Sequence, residues 1–296
     1  MKLLLLLLFA DYTATWITDA DLDKIALRQD LDRLSLSQTR ITDAGLERLR
    51  DLKGVRELDL YFAEFITDEG LAALTSWDKL ERLNLRGTRL TSRAFEHIAK
   101  LTALKHLDLS YSQIDDTNIE LLADLPHLES LALGGTRLGV AALSALKLLP
   151  NLKHLDLSGM QRVDSGYWGL SLTPAVLEEL GGLENLVTLR LSGAVRSDQG
   201  ADRPGLKEEE RKSLPGLEKL SRLRNLEVLD LSRTPVNAAG LEALGAMPKL
   251  RELRLALAPN IDDSALPVLA RWNLQTLILE GTTVASKSKR CFPKRE

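Results

Sequence analysis

Residues 104–109 read LKHLDL, and the same six letters return at 152–157. Between them, residues 128–133 read LESLAL, one 24-residue step from each. Aligning the chain on the pattern LxxLxL gives starts at Leu3, Leu31, Val55, Leu80, Leu104, Leu128, Leu152, Leu186, Leu226, Leu250 and Leu274. The successive spacings are 28, 24, 25, 24, 24, 24, 34, 40, 24 and 24. A fixed period of this length marks a stack of structural repeats, and it governs nearly the whole chain.

Each repeat has two halves with different periods. The first alternates, as in Leu34-Ser35-Leu36, Leu83-Asn84-Leu85 and Leu107-Asp108-Leu109. Period two predicts a short strand with leucines on one face and polar groups on the other. The second half steps by three, as in Leu46, Leu49, Leu52 and Phe95, Ile98, Leu101. That spacing lays one apolar stripe along a helix of two or three turns. Thr18, Thr42, Thr67, Thr91, Asp115, Gly139, Asp164, Asn237 and Asp262 stand where these helices begin. Except for Gly139, each carries a side-chain oxygen able to accept a hydrogen bond from the first turn of its own helix.

One repeat alone cannot bury enough leucine to offset the ordering of its backbone. Stacking supplies the burial, because each repeat covers its neighbour's apolar face. The expected fold is an α/β solenoid of about eleven repeats of ~24 residues. Helices are wider than strands, so the array is expected to curve into a horseshoe, with the parallel sheet concave and the short helices convex.

The sequences ITDAGL (41–46), ITDEGL (66–71) and, less well kept, ITDADL (17–22) resemble the signature of leucine-rich repeat proteins of the helix-bearing, ribonuclease-inhibitor-like kind. The chain is similar to bacterial and F-box-type arrays over about residues 1–284. Where that family often places an Asn ladder after the strand, this chain has Thr39, Thr88, Ser112, Thr136, Thr234 and Thr282, with Ala63 and Met160 elsewhere. A hydroxyl makes fewer bonds than an amide, so a weaker ladder is expected.

The first ten residues, MKLLLLLLFA, admit an export signal, a first strand, or a strand that met a further unit in a longer array. As an export signal the apolar core is minimal, and cleavage after Ala10 would put Leu8 where a small residue is preferred. As a strand, Leu3, Leu6 and Leu8 would face inward, with Leu5, Leu7 and Phe9 outward and four extra residues in the next turn. The strand reading is preferred, and with it a cytoplasmic location over export.

The array is read as a single domain over 1–284, with insertions near 161–173 and 193–216, followed by a basic tail at 285–296. The first insertion places Tyr167 and Trp168 in a loop, and Thr173-Pro174 after it reads as a helix start. Neither end shows an obvious polar cap, so either end-to-end self-association through the termini or truncation of a longer array is expected.

Composition narrows the function. A net charge of −3 gives no attraction to nucleic acid. Past Phe9, no apolar run approaches the ~18 residues of a membrane span. One cysteine, Cys291, permits no internal disulfide and no thiolate cluster. No phosphate-binding glycine loop or nucleophile motif is present. His106 with Asp108 and His154 with Asp156 lie along flat strands, too spread for a shared metal or an acid–base pair. The expectation is no catalytic residue, no metal and no cofactor. Asp59, Asp108, Asp156 and Asp230 recur because their slot faces solvent.

The outward strand positions and one insertion form the candidate binding surface for a protein partner. They comprise Arg33, Glu57, Asp59, Tyr61, Arg82, Asn84, Arg86, His106, Asp108, His154, Asp156, Arg190, Tyr167 and Trp168. A mixed, charged surface on a rigid support suits protein–protein contact. The expected function is a non-catalytic binding scaffold. The alternative implied by the resemblance is the substrate-recognition arm of a ubiquitin-ligase-like complex, an F-box-type array without the F-box. A hydrolase is the reading with least support.

Overall fold

The computed structural model describes residues 8–163, 166–194, 214–245 and 247–285. It divides into two compact units, residues 1–138 with 148–152, and 139–147 with 153–296. The first unit holds six parallel strands in sequence order: β1 (Phe9–Asp11), β2 (Arg33–Ser35), β3 (Glu57–Asp59), β4 (Arg82–Asn84), β5 (His106–Asp108) and β6 (Ser130–Ala132). The second contains β7 (His154–Asp156), an antiparallel hairpin of β8 (Met160–Val163) and β9 (Gly166–Gly169), then β10 (Thr188–Arg190), β11 (Val228–Asp230), β12 (Glu252–Arg254) and β13 (Thr276–Ile278). Apart from the hairpin, its strands are parallel and pair in the order β7-β10-β11-β12-β13. Eleven parallel strands among the described residues, joined by helical crossovers, make the solenoid that the periodicity predicts.

The register sets the core. Leu34, Leu58, Leu83 and Leu107 are opposite one another on adjacent strands, as are Leu155, Leu189, Leu229 and Leu253 in the second unit. All eight are at most 2% exposed. Each such leucine contributes roughly 1.5–3 kcal/mol of burial, and the contribution exists only because a neighbouring repeat covers it.

The crossovers run to at most about three turns, and several are wound more tightly than an α-helix. Asp43–Arg48 and Val140–Ala145 are α-helices of 6 residues. Asp68–Ser76, Ile119–Asp124 and Leu217–Arg222 are 3₁₀ helices. A 3₁₀ segment rises about 2.0 Å per residue against 1.5 Å for an α-helix, so it spans the return path with fewer residues. Pro174–Gly181, with 8 residues, is the longest α-helix among the described residues. It begins as predicted, with Thr173 Oγ1 accepting from the Val176 N–H at 3.2 Å.

Three expectations are corrected. The first strand is Phe9–Asp11, and Leu8 is not its inward residue. Ala10 pairs opposite Leu34 and is 5% exposed, while Phe9 faces outward under the Arg33 guanidinium at 5.5 Å. The step from Ala10 to Leu34 is again 24 residues, so the next turn holds no extra residues. Leu3, Leu5, Leu6 and Leu7 lie outside the described residues. The first insertion is a β-hairpin rather than a loop, with Gln161 opposite Trp168 and Arg162 opposite Tyr167. Most of the second insertion and the basic tail lie outside the described residues.

The third correction concerns the threonines. Thr91, Asn237 and Asp262 do accept from their own first turns. Asp115 accepts from the Thr117 N–H, ahead of the helix Ile119–Asp124 that it was expected to open. Thr42 and Thr67 instead reach back one repeat. The Thr42 N–H and hydroxyl donate to the Asp19 carboxylate at 2.8 and 2.6 Å. Thr67 donates the same pair to Asp43, and Thr91 to Asp68. Each Asp thus joins its repeat to the next, as Asp263 does by accepting from the Ala285 N–H.

This bonding also accounts for the glycines of ITDxGL. A Cβ at Gly45 would fall against Asp19 Oδ1, and one at Gly70 against Asp43 Oδ1. The glycine leaves room for the preceding repeat's carboxylate. At residue 21 this place is held by Asp, and the Thr18 N–H and hydroxyl donate to its Oδ2 at 2.8 and 2.9 Å.

The hydroxyls in the expected Asn column turn inward. Thr39, Thr88, Ser112, Thr136, Thr234 and Thr282 donate to the carbonyl three residues earlier, at 2.5–2.7 Å. They brace their own turns rather than neighbouring repeats.

Gly70→Ala should destabilise the protein by about 1–3 kcal/mol in chemical denaturation, the usual cost of overpacking. Asp43→Ala in the same chain should remove the clash, so that the double variant loses less than the sum of the two single losses. Additive losses would mean that Gly70 and Asp43 do not oppose each other.

Candidate functional site

Four strands of the first unit, β1, β3, β4 and β5, end in the same local device, which in β1 is Asp11 Oδ1 accepting from the Thr13 N–H at 2.9 Å. Asp59 Oδ1 accepts from the Tyr61 N–H at 3.0 Å, Asn84 Oδ1 from Arg86 at 3.1 Å, and Asp108 Oδ1 from Ser110 at 2.9 Å. Asp156 and Asp230 do the same in the second unit, each at 2.9 Å. The side chain of the strand's last residue holds the N–H two residues on and turns the chain out of the sheet. The recurrence of Asp in this slot therefore has a structural cause beyond solvation. One oxygen is committed to the turn.

Alternation then fixes what the strand face displays. Arg33, Glu57, Asp59, Arg82, Asn84, His106 and Asp108 all line one open depression of about 550 Å³. Phe9, Asp11, Ser35 and Ser130 join them there. Phe9 is expected from the sequence to face outward but is not counted in the site, and Asp11 falls beyond the strand as placed there. A 24-residue step back from Arg33 and Ser35 would have found them.

The charges partly answer one another. Arg82 Nε lies 3.4 Å from Glu57 Oε1, and Arg33 stacks on Phe9. Burial pushes the Asp59 carboxyl above its ordinary value of 3.8, and the charges of Asp11 and Asp108 act in the same direction. Hydrogen bonds from Tyr61 and Asn84 oppose this and do not cancel it.

Tyr61 and Arg86 stand just past the strand ends. Tyr61 meets Phe62 edge-on, with ring centroids 4.7 Å apart, and the Arg86 guanidinium lies 4.5 Å above the Tyr111 ring. Phe62 and Tyr111 hold left-handed backbones, with φ of 51° and 59°. One repeat on, the same position is Gly87 or Gly135, where a Cβ would meet those rings at 2.9 and 3.0 Å. Large and absent side chains thus alternate along this edge.

The remaining candidates belong to the second unit. His154 Nδ1 is 3.0 Å from Thr188 Oγ1, and Arg190 is 3.9 Å from Asp156. Trp168 is half-buried on β9, and the side chain of Tyr167 lies outside the described residues. Among the described residues, no group of three or more His, Cys, Asp or Glu is placed to hold a metal ion. No described helix is long and apolar enough to cross a membrane.

Asp59→Asn tests the electrostatics. The folded form holds this proton more tightly than the unfolded chain, so wild-type stability falls as pH rises from 3.8 through the raised value. An amide keeps the bond to Tyr61, as Asn84 keeps its own to Arg86. The variant should therefore fold at neutral pH with equal or greater stability, and should lose this component of the acid pH dependence. Denaturation across pH 3–7 in both proteins checks this; an unaltered profile would contradict it.

Comparison with known proteins agrees with this geometry. Two family models described as leucine rich repeat match residues 78–138 and 222–245. No curated protein sequence matches the chain. Among solved structures, an internalin from Listeria monocytogenes superposes with a TM-score of 0.59 at 18% identity, covering 96% of this chain and 71% of that one. An internalin C2 from the same organism gives a TM-score of 0.52 at 26% identity, covering 81% of this chain and 84% of that one. Leucine-rich repeats are thus matched at residues 78–138 and 222–245, and the 24-residue register and parallel ladder show the leucine-rich repeat fold in the described residues around them.

Proposed function

We propose that the protein is a non-catalytic scaffold that binds a protein partner through the strand face of its first unit. The observation that carries this reading is an open depression of about 550 Å³ that gathers polar side chains from successive strands. The strands hold these side chains in place before any partner arrives, which lowers the ordering cost of association. Arg33, Glu57, Asp59, Arg82, Asn84, His106 and Asp108 are the contact residues in this reading, with Tyr61 and Arg86 at the strand ends. His154, Asp156, Arg190, Tyr167 and Trp168 offer a further contact on the second unit. Leucine-rich repeat folds commonly serve as interaction scaffolds, which supports the reading; nothing in the site favours a ubiquitin-ligase arm or a hydrolase.

Photo-crosslinking from the strand face tests it. A photoreactive amino acid at position 82 or 106 should give a discrete crosslinked product in an extract of the source organism. The same group at position 96, on the helix Phe95–Ile98, should not. Equal products from all three positions, or from none, would contradict the strand-face reading.

A further inference from the structure

We propose a second docking surface, an edge of the first unit formed by Arg40, Phe65 and Arg89, that takes an acidic peptide segment. These residues lie outside the strands and do not line the depression. Each directly precedes the buried aliphatic residue that opens the second half of its repeat, Ile41, Ile66 or Leu90. The Arg89 N–H donates to the Ile66 carbonyl at 3.0 Å, which fixes the stacking of these two repeats at this edge.

Two observations point to an anionic partner. The Arg40 and Arg89 guanidinium groups both lie over the Phe65 ring, at 5.7 and 5.5 Å, and all three residues are exposed. Among the described residues, neither arginine has a carboxylate partner. By contrast Arg48, Arg50, Arg56, Arg82 and Arg93 of the same unit each have one. A guanidinium stacked on a ring keeps its N–H fork free for a carboxylate, and the stack holds the side chain ready. Trp16 occupies the same position one repeat before Arg40 and is 85% exposed, which extends the edge with a second aromatic.

The spacing suits one kind of ligand. Arg40 and Arg89 are two repeats apart, about 10 Å at the ~4.8 Å spacing of strands. Acidic residues three apart on a polyproline-like segment are separated by roughly the same distance, at about 3.1 Å per residue. An apolar side chain between them would meet Phe65. Single-stranded nucleic acid fits less well, because it needs a continuously positive groove. Here Glu64 adjoins Phe65, and Asp11, Asp59 and Asp108 line the neighbouring depression.

The test uses the full chain and a fluorescein-labelled peptide of four Glu-Leu-Pro repeats, followed by fluorescence anisotropy at low salt. A Gln-Leu-Pro peptide and an oligothymidine are the comparison probes. The Glu peptide should bind at least about tenfold more tightly than either. The double variant Arg40→Glu, Arg89→Glu should abolish the preference, and Phe65→Ser should weaken binding, with melting curves confirming that each variant folds. Arg93→Glu, at an arginine already paired with Glu69, should bind as wild type does. So should the strand-face variant Glu57→Arg, Arg82→Glu, which separates this edge from the surface proposed above. Equal affinity for the Glu and Gln peptides, preference for oligothymidine, or undiminished binding by the Arg40, Arg89 double variant would overturn the proposal.

Discussion

No repeat of this chain can bury its own leucines. Each supplies a strand residue such as Leu58 or Leu229 that reaches full burial only under the repeats on either side. From this constraint the rest follows. The strands must run parallel and in register, or the leucine columns break. The crossovers must return the chain within the same short length each time, which selects brief α and 3₁₀ turns. The polar partners of those leucines are left on the opposite face of the sheet, where they form the candidate site.

Apolar stacking is non-directional, and something else must set which residue meets which. The aspartate–threonine pairs Asp19–Thr42, Asp43–Thr67 and Asp68–Thr91 do this. Each joins two repeats through charge-assisted bonds that tolerate little displacement. Gly45 and Gly70 are the spaces these carboxylates occupy. The signature is thus one bonding pattern written across neighbouring repeats rather than a local helix cap.

That explains what could be read from the letters. Alternation placed Leu34, Leu83 and Leu107 inward and Arg33, Arg82 and His106 outward, and the structure gathers those outward residues in one depression. The rules for helix starts are local, however, and could not reveal that Thr42 bonds to a residue 23 positions earlier. The opening run of leucines carries no phase of its own. The register of the first strand, Phe9–Asp11, is set instead by the pairing of Ala10 with Leu34 and by Phe9 beneath Arg33. Phe65 and Tyr111 escaped notice because they lie beyond the strands, where alternation says nothing. Counting in steps of 24 would have aligned them with Arg89 and Gly135.

The central claim is that successive repeats are interchangeable layers. Excision of one whole period tests it most directly. Deleting residues 104–127, one step from Leu104 to Leu128, should leave a protein that unfolds cooperatively, with its far-ultraviolet circular dichroism per residue nearly unchanged. Deleting two residues fewer should disrupt it, because the leucine columns no longer meet. Should both deletions unfold the chain alike, or both be tolerated alike, the account of a register-locked leucine stack would be wrong.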